Sequence, residues 1–221
     1  MGNRTNKGCC LCAQIGGESG FDLLHKHLGG DAYRRRLAEL GGDWYAIPSL
    51  GALVPGHTLL CPARHTRSFA SLSVGELGEM EPRLTQLTSY LSARFNGAMQ
   101  LFEHGNARDG SRVACSVEHA HLHLVPGAPD LWPFIDRSIN WEPLVDGLAG
   151  LAPATGGGEY LLYRDLNSDC WIAEAPEHGH PSQVMRRALA AAIGEPEQWN
   201  WRIYPRLRDT IVSTEAVIAS V

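Results

Sequence analysis

Residues 116–125 carry three histidines, at positions 119, 121 and 123, each separated from the next by one apolar residue. Successive side chains of a β-strand point to opposite faces, so this alternation predicts a strand over 117–125 with His119, His121 and His123 on one face. The alternate residues would face the core. A row of three imidazoles suits metal ligation, proton transfer or nucleophilic attack at phosphorus.

The charge balance of the 221-residue chain argues against a nucleic-acid partner. The chain has 19 lysines and arginines against 24 aspartates and glutamates, with a pI near 6.0. It therefore lacks the basic field that holds a polyanionic backbone, although local donors could bind a small anion. No apolar run is long enough to cross a bilayer, and the first residues lack the apolar stretch of a signal peptide. We expect a soluble cytoplasmic protein with neither a nucleic-acid nor a membrane partner.

The order of predicted elements is typical of an α+β fold with an antiparallel sheet and one long helix. Short β-rich runs at 44–48 and 58–61 come first. The clearest helix follows Ser73, where Glu76 completes a capping box and apolar residues recur every three or four positions. A strand over 98–103 then leads to the histidine strand.

Turn residues and local periodicity predict several other elements. These are an irregular stretch over 16–32, a short helix over 31–40, a hairpin of 160–164 with 170–173, and a helix over 181–193. The tryptophan-rich segment 199–202 is either exposed or packs the end of the chain onto the core. Six cysteines are too few for a disulfide framework in a chain of this length, which favours reduced thiols or a metal site.

Three blocks of the sequence resemble the histidine-triad (HIT) family of nucleotide hydrolases and transferases. Residues 119–125 match its His-x-His-x-His-x-x signature, and residues 56–65 resemble its Gly-His-x-Leu-hydrophobic-hydrophobic-Pro-x-x-His strand. Residues 9–18 resemble the Cys-x-x-Cys opening of bacterial members. The resemblance implies a HIT-like antiparallel sheet with one long helix over 1–126, and a C-terminal α/β extension over 127–221 packed on it.

The resemblance also assigns roles to individual side chains. His121 would be the nucleophile that forms a nucleotidyl-histidine intermediate at the α-phosphorus of a nucleotide, and His123 would donate to the phosphate. Ser116 would contact a phosphate or leaving-group oxygen, with Asn106 near the same oxygens. His57 would either lie near the site or be a buried histidine bonded to backbone. The third histidine of the signature favours hydrolysis over transfer.

A structural zinc site is the second expectation from the resemblance. Cys9 and Cys12 are separated by two residues, so one turn can present both sulfurs to a tetrahedral zinc ion. In zinc-bearing members the other ligands are the histidine that ends the second block and the first triad histidine, which implies His65 and His119. The alternative is a reduced cysteine cluster that includes Cys10.

One departure from the family pattern bears on the substrate. Many members have an acidic residue for the ribose hydroxyls eight positions before the equivalent of His57, whereas this chain has Ser49. The alternatives to a hydrolase of a nucleoside phosphate ester, phosphoramidate or anhydride are a nucleotidyl transferase or phosphorylase, and a non-catalytic nucleotide- or zinc-binding module. His104 carries no match and reads as a solvated loop residue. The resemblance further implies that a homodimer could form.

Overall fold

A computed structural model describes residue 6 and residues 8–29, 36–105, 117–175 and 183–221. The strands are β1 (Ala38–Gly41), β2 (Trp44–Pro48), β3 (Thr58–Pro62), β4 (Met99–Gly105), β5 (Leu122–Pro126), β6 (Glu142–Pro143), β7 (Tyr160–Arg164) and β8 (Cys170–Glu174). The α-helices are α1 (Cys10–Gly16), α2 (Leu23–Leu28), α3 (Val74–Phe95), α4 (Leu151–Thr155), α5 (Val184–Ala192) and α6 (Leu207–Ile218). All strand pairs are antiparallel, in the order β1-β2-β3-β5-β4-β7-β8-β6. The predicted α+β class with an antiparallel sheet is confirmed.

Helix α3 covers one face of this sheet. Ser73 accepts from the Glu76 backbone N–H while the Glu76 carboxylate accepts from the Ser73 N–H, so the predicted capping box is present. The helix buries Leu77, Met80, Leu84, Leu87 and Leu91, which recur at three- and four-residue spacing. They pack with side chains from β3, β4, β5 and β7 in the largest core cluster. The face of the sheet beneath α3 is therefore mostly apolar.

The opposite face of the sheet carries the polar groups. Leu60 packs on the α3 side, whereas its neighbour Leu59 packs with α1 and α2 on the other side. Likewise Leu124 belongs to the α3 core, and Val125 packs with α5. Because side chains alternate along β5, His123 shares the face that α1, α2 and α5 cover. This face bears the candidate site.

The second half of the chain continues the same sheet. Strand β7 pairs with β4, and β8 pairs with β7 from Tyr160↔Glu174 to Arg164↔Cys170, which confirms the predicted hairpin. Helix α5 lies within the predicted 181–193. Trp199 packs into the cluster around α5, so the segment around it packs onto the core. The division of the chain at residue 126 stays a prediction.

Three secondary-structure predictions are wrong in part. Residues 38–40 of the predicted helix over 31–40 belong to β1, because pairing with β2 outweighs a weak local helical preference; residues 31–35 lie outside the described part of the chain. The histidine strand begins only at Leu122, since the Ala120 N–H bonds to the Thr66 carbonyl instead of a sheet partner. The stretch over 16–32, predicted to be irregular, contains α2, whose first turn is capped by the Asp22 side chain. Sequence patterns also did not reveal α1 or α6.

A buried carboxyl group ties the extension to the first half of the sheet. Glu103 accepts from the Tyr160 hydroxyl on one oxygen and from the Phe69 backbone N–H, at 2.9 Å, on the other. Burial and the neighbouring Glu103 charge raise the pKa of Tyr160, so its hydroxyl stays protonated and donates. Tyr163, also on β7, donates instead to the neutral side-chain amide of Gln100.

We expect Tyr160→Phe to destabilise the protein more than Tyr163→Phe. The first change removes a donor from a buried carboxyl group, at a cost of about 2–3 kcal/mol, and the second leaves a neutral amide short of one partner, at about 1 kcal/mol. Urea denaturation of both variants measures the difference. Equal losses would contradict a charged acceptor at Glu103.

Candidate active site and metal cluster

The turn between β2 and β3 positions the first histidine of the site. The His57 N–H donates to the Val54 carbonyl, and Gly56 precedes it with φ +84°, where a Cβ would lie 2.3 Å from the Phe95 ring. Only glycine fits that conformation and that space. The turn brings His57 beside His123, which lies between Leu59 of β3 and Phe102 of β4 in the sheet register.

Hydrogen bonds determine which ring nitrogens of this pair carry protons. The Leu53 N–H donates to Nδ1 of His57 at 3.4 Å, so the proton of a neutral His57 is on Nε2. That nitrogen donates to Nδ1 of His123 at 2.8 Å. A neutral His123 consequently carries its own proton on Nε2, where it can donate to a bound oxygen.

Burial keeps both of these histidines neutral. Burial lowers the pKa of His57 well below its ordinary value, and the positive charge of Arg186 and the neighbouring His121 lower it further. Burial also lowers the pKa of His123, again with contributions from His121, His57 and Arg186. The ring of His123 stacks on Phe102 with centroids 4.4 Å apart, which fixes its orientation.

His121 has the geometry of a nucleophile. Its Nδ1 lies 2.5 Å from the His119 carbonyl oxygen, which can only accept, so Nδ1 carries the proton and Nε2 keeps a lone pair. Its ring centroid is 5.0 Å from that of His123 in an edge-to-face arrangement. A nucleophilic nitrogen and an N–H donor are thus side by side.

His121 and His123 line an open cavity. Most other lining side chains are apolar, and they come from three parts of the chain: α1 and α2, the strands β2 to β4, and α5 with Trp201. Among the described lining residues Arg186 carries a permanent charge and none is a carboxylate. The Arg186 guanidinium donates to the carbonyls of Gly51 and Trp199. Such a cavity can receive an anionic group joined to an apolar one.

A four-residue cluster lies next to the histidines. Cys9, Cys12, His65 and His119 each place a ligand atom within 4.8 Å of the others. The His119 Nδ1 lies 3.6 Å from the Cys9 sulfur and 3.4 Å from the Cys12 sulfur, and the His65 Nδ1 lies 3.4 Å from Cys12. Ligands ~2.0–2.3 Å from a tetrahedral ion lie about 3.3–3.8 Å apart. The four atoms could therefore hold a metal ion.

Neighbouring groups determine which ligand atoms of the cluster carry protons. The His119 Nε2–H donates to the Pro62 carbonyl at 2.9 Å, which leaves the Nδ1 lone pair directed at the sulfurs. A hydrogen bond from the Cys12 thiol lowers the pKa of Cys9 to about 3. The same hydrogen bond raises the pKa of Cys12. Burial and the Cys9 charge raise the pKa of Cys10 to about 11. Cys10 lines the cavity instead of joining the cluster.

A family model for the HIT domain matches residues 42–130. The chain therefore carries a HIT domain. Over 82 residues it is 29% identical to a bis(5'-adenosyl)-triphosphatase of Dictyostelium discoideum, and 28% identical to a bifunctional bis(5'-adenosyl)-triphosphatase/adenylylsulfatase of Arabidopsis thaliana. These matches cover 37% of this chain and 53% and 44% of the two relatives, so the chain spans about half of their length. A HIT family protein from Bacillus anthracis is structurally similar, with a TM-score of 0.42 and 20% identity over 56% of this chain and 75% of its own.

The structure brings together the described residues predicted for the site of the HIT domain. His121, His123 and Ser49 line the cavity. His57 is buried behind them, where its ring is hydrogen-bonded to His123 and to the Leu53 backbone. Asn106 and Ser116 lie outside the described residues, so their roles stay predictions. None of the described helices is long and apolar enough to cross a membrane.

Sequence reasoning did not place His104, Arg186 or Trp201 at the cavity. His104 was expected in a solvated loop, but it lies on β4 and lines the cavity. Its position two residues after Phe102, on the same face, was the available signal. Arg186 and Trp201 come from the extension, and no local pattern connects them to the histidines.

We expect the stability of the HIT domain to fall on acidification below pH 6.5. His57 and His123 are neutral when folded, whereas in the unfolded chain their pKa is about 6.5. Above pH 6.5 the two neutral rings make their full contribution to the free energy of unfolding. Below pH 6.5 the unfolded chain binds protons that the folded protein does not, and this contribution is lost. The free energy of unfolding should then fall by at most about 1.4 kcal/mol per pH unit for each histidine.

Urea denaturation at pH 7.5, 6.5 and 5.5 measures this slope. His57→Gln should reduce the slope, while the same change at the exposed His27 should leave it unaltered. A slope that is identical in wild type and His57→Gln would contradict a neutral buried His57.

Proposed function

We propose that this protein is a HIT-type hydrolase that cleaves a nucleoside phosphate ester, phosphoramidate or anhydride at the α-phosphorus through His121. The single observation that carries the proposal is the hydrogen bond from His121 Nδ1 to the His119 carbonyl. It leaves the Nε2 lone pair available beside the neutral His123 donor, at an open cavity lined mostly by apolar side chains. A purely structural histidine row would not need this arrangement.

The proposed reaction has two displacements at phosphorus. In the first, Nε2 of His121 forms a bond to the α-phosphorus while the bond to the leaving group breaks, and the leaving group departs with the electron pair and receives a proton. In the second, water attacks the phosphorus, loses a proton, and the phosphorus–nitrogen bond breaks. The nucleotide is released and His121 is regenerated.

His123 would stabilise both transition states. Its Nε2–H can donate to a non-bridging phosphate oxygen, and its orientation is held in advance by His57 and Phe102. Donors arranged before the reaction need no reorganisation when charge develops on phosphate. Because burial keeps the ring neutral, this proton is not lost or gained with small changes of pH near neutrality.

The lining of the cavity supports an anionic substrate with an apolar portion. The charge of Arg186 and the absence of carboxylates among the described lining residues favour a phosphate. Side chains such as Leu11, Leu24, Ile47 and Met185 would contact a base or another apolar group. The two relatives are named as bis(5'-adenosyl)-triphosphatases, which makes dinucleoside polyphosphates a first choice of substrate.

We also propose that Cys9, Cys12, His65 and His119 hold a structural zinc ion. Two thiolates and two imidazoles form a donor set that zinc prefers, and the observed spacings fit a tetrahedron. With all four positions filled by protein, the ion would stabilise the fold and leave no position for water. We retain a homodimer and a cytoplasmic location as predictions.

His121→Ala should lower turnover of a dinucleoside polyphosphate by roughly 10⁴-fold, because the covalent route is lost. With substrate labelled at the α-phosphorus, rapid quenching of wild type should trap an acid-labile label on His121. His27→Ala, the same change at an exposed histidine, should leave turnover and labelling unaltered. Unchanged turnover in His121→Ala would end the proposal.

Zinc analysis by mass spectrometry should find one ion per chain. Cys12→Ser should lose it, whereas Cys10→Ser should keep it, since the Cys10 thiol lies outside the cluster. Relative to the protein at a free zinc concentration of ~100 times the dissociation constant, removal of the metal should lower the free energy of unfolding by up to about 2.7 kcal/mol. A full zinc content in Cys12→Ser would contradict the assigned ligands.

A further inference from the structure

His104 and Glu159 form a hydrogen-bonded pair at the edge of the cavity. The His104 Nε2 lies 2.7 Å from a carboxylate oxygen of Glu159, which precedes β7. The His104 side chain is only 8% exposed. Its second ring nitrogen, Nδ1, is buried and has no hydrogen-bond partner. A buried ring nitrogen without a partner costs about 1–3 kcal/mol, so its retention calls for an explanation.

The strand register places this pair on the catalytic side of the sheet. Phe102 of β4 pairs with His123 of β5. His104 is two residues after Phe102, and His121 is two residues before His123 on the antiparallel neighbour. Alternation therefore puts His104 and His121 on one face and toward the same end of the two strands. Both residues line the cavity.

A carboxylate that accepts from one imidazole nitrogen orients the ring for proton transfer at the other nitrogen. Glu159 accepts the Nε2–H of His104. The exchangeable proton is then the one on Nδ1, the nitrogen that has no partner. A bound group with an oxygen near this nitrogen would satisfy it. Neither His57 nor His123 can take this role, because burial keeps both rings neutral.

We propose that the His104–Glu159 pair exchanges the protons of the reaction, as general acid for the leaving group and general base for water. This inference rests on the proposed hydrolase function. It adds a catalytic residue, His104, and a positioning residue, Glu159. The pair joins a residue of the HIT domain to one beyond its matched range of 42–130.

This pair supplies the proton that the leaving group needs and accepts the proton that the attacking water loses. In the first displacement the His104 imidazolium gives its Nδ1 proton to the leaving-group atom as that atom takes the electron pair of the broken bond. In the second displacement the neutral Nδ1 takes a proton from the attacking water as oxygen bonds to phosphorus. His104 returns to its starting state, and Glu159 stays ionised throughout.

Several other charged or titratable groups surround His104. His123 faces the cavity from β5, His121 from the residues just before β5, Cys10 from α1, and Arg186 from α5. Glu103, on β4 itself, is hydrogen-bonded to Tyr160 on the other face of the sheet. The Glu159 carboxylate is in direct hydrogen-bonded contact with the His104 ring.

The test compares two adenosine 5'-phosphate esters, one releasing p-nitrophenolate and one releasing an alkoxide. The p-nitrophenolate anion is stable at neutral pH and needs no proton, whereas the alkoxide does. In His104→Gln we expect the rapid first burst of p-nitrophenolate to persist at the wild-type rate. Steady-state turnover of this ester should fall by about 10²–10⁴-fold, since water loses its base. Cleavage of the alkyl ester should fall in its first step as well.

Glu159→Gln should show the same pattern with smaller losses and an altered pH dependence of turnover, which a purely structural change would not produce. In His104→Ala, added imidazole should restore part of the steady-state rate. The role of the pair would be overturned if His104→Gln lost burst and steady-state turnover equally for both esters, or lost neither. In either case a burst in wild type would still support His121 as the nucleophile. If wild type gives no burst and His121→Ala changes nothing, the hydrolase proposal fails and this inference fails with it.

Discussion

Strand β5 lies between β3 and β4, and its pairing with both determines the core and the site together. Leu59 and Phe102 flank His123 in register, while Leu122 and Leu124 point to the opposite face beneath α3. A shift of one residue in the pairing register of β5 would exchange these two sets of side chains and put an imidazole into the apolar core. The requirement to bury the leucines therefore also places His123 on the cavity side. The nucleophile and the donor inherit their positions from this packing.

Burial of the histidine side chains also determines their charge states. Burial disfavours a charge on either ring, so His57 and His123 both stay neutral. The Leu53 N–H donates to His57, and His57 in turn donates to His123. Arg186 supplies the permanent positive charge at the cavity and disfavours imidazolium nearby. His104 differs because a carboxylate contacts it directly. The neutral pair of His57 and His123 thus lies beside His121, and His104, which lines the same cavity, is paired with a carboxylate.

The metal cluster and the cavity share helix α1. Cys9 and Cys12 reach the cluster, and between them Cys10 and Leu11 turn toward the cavity. An ion bound there would hold α1 against His119, two residues before the nucleophile. Folding energy from metal binding would in this way also stabilise one wall of the substrate site.

Local signals made part of this protein predictable. The capping box and apolar periodicity identified α3, and β-rich composition identified the strands predicted at 44–48 and 58–61, because these patterns depend on neighbours a few residues apart. They failed where distant contacts prevail: pairing with β2 turned residues 38–41 into a strand, and Thr66 drew Ala120 out of the sheet. The zinc ligands could be named beforehand only because the spacing of Cys9 and Cys12 belongs to a pattern shared by a family.

By itself, the sequence determined the fold class, the long helix and the three histidines available for chemistry, since each follows from spacing along the chain. Only the tertiary structure decided which nitrogens carry protons, which wall Arg186 and Trp201 occupy, and that Glu159 contacts His104. Those outcomes depend on burial and on hydrogen bonds between residues far apart in sequence, such as the 66 positions between His57 and His123. Local sequence preferences do not encode such contacts; they arise when the sheet and its covering helices pack together.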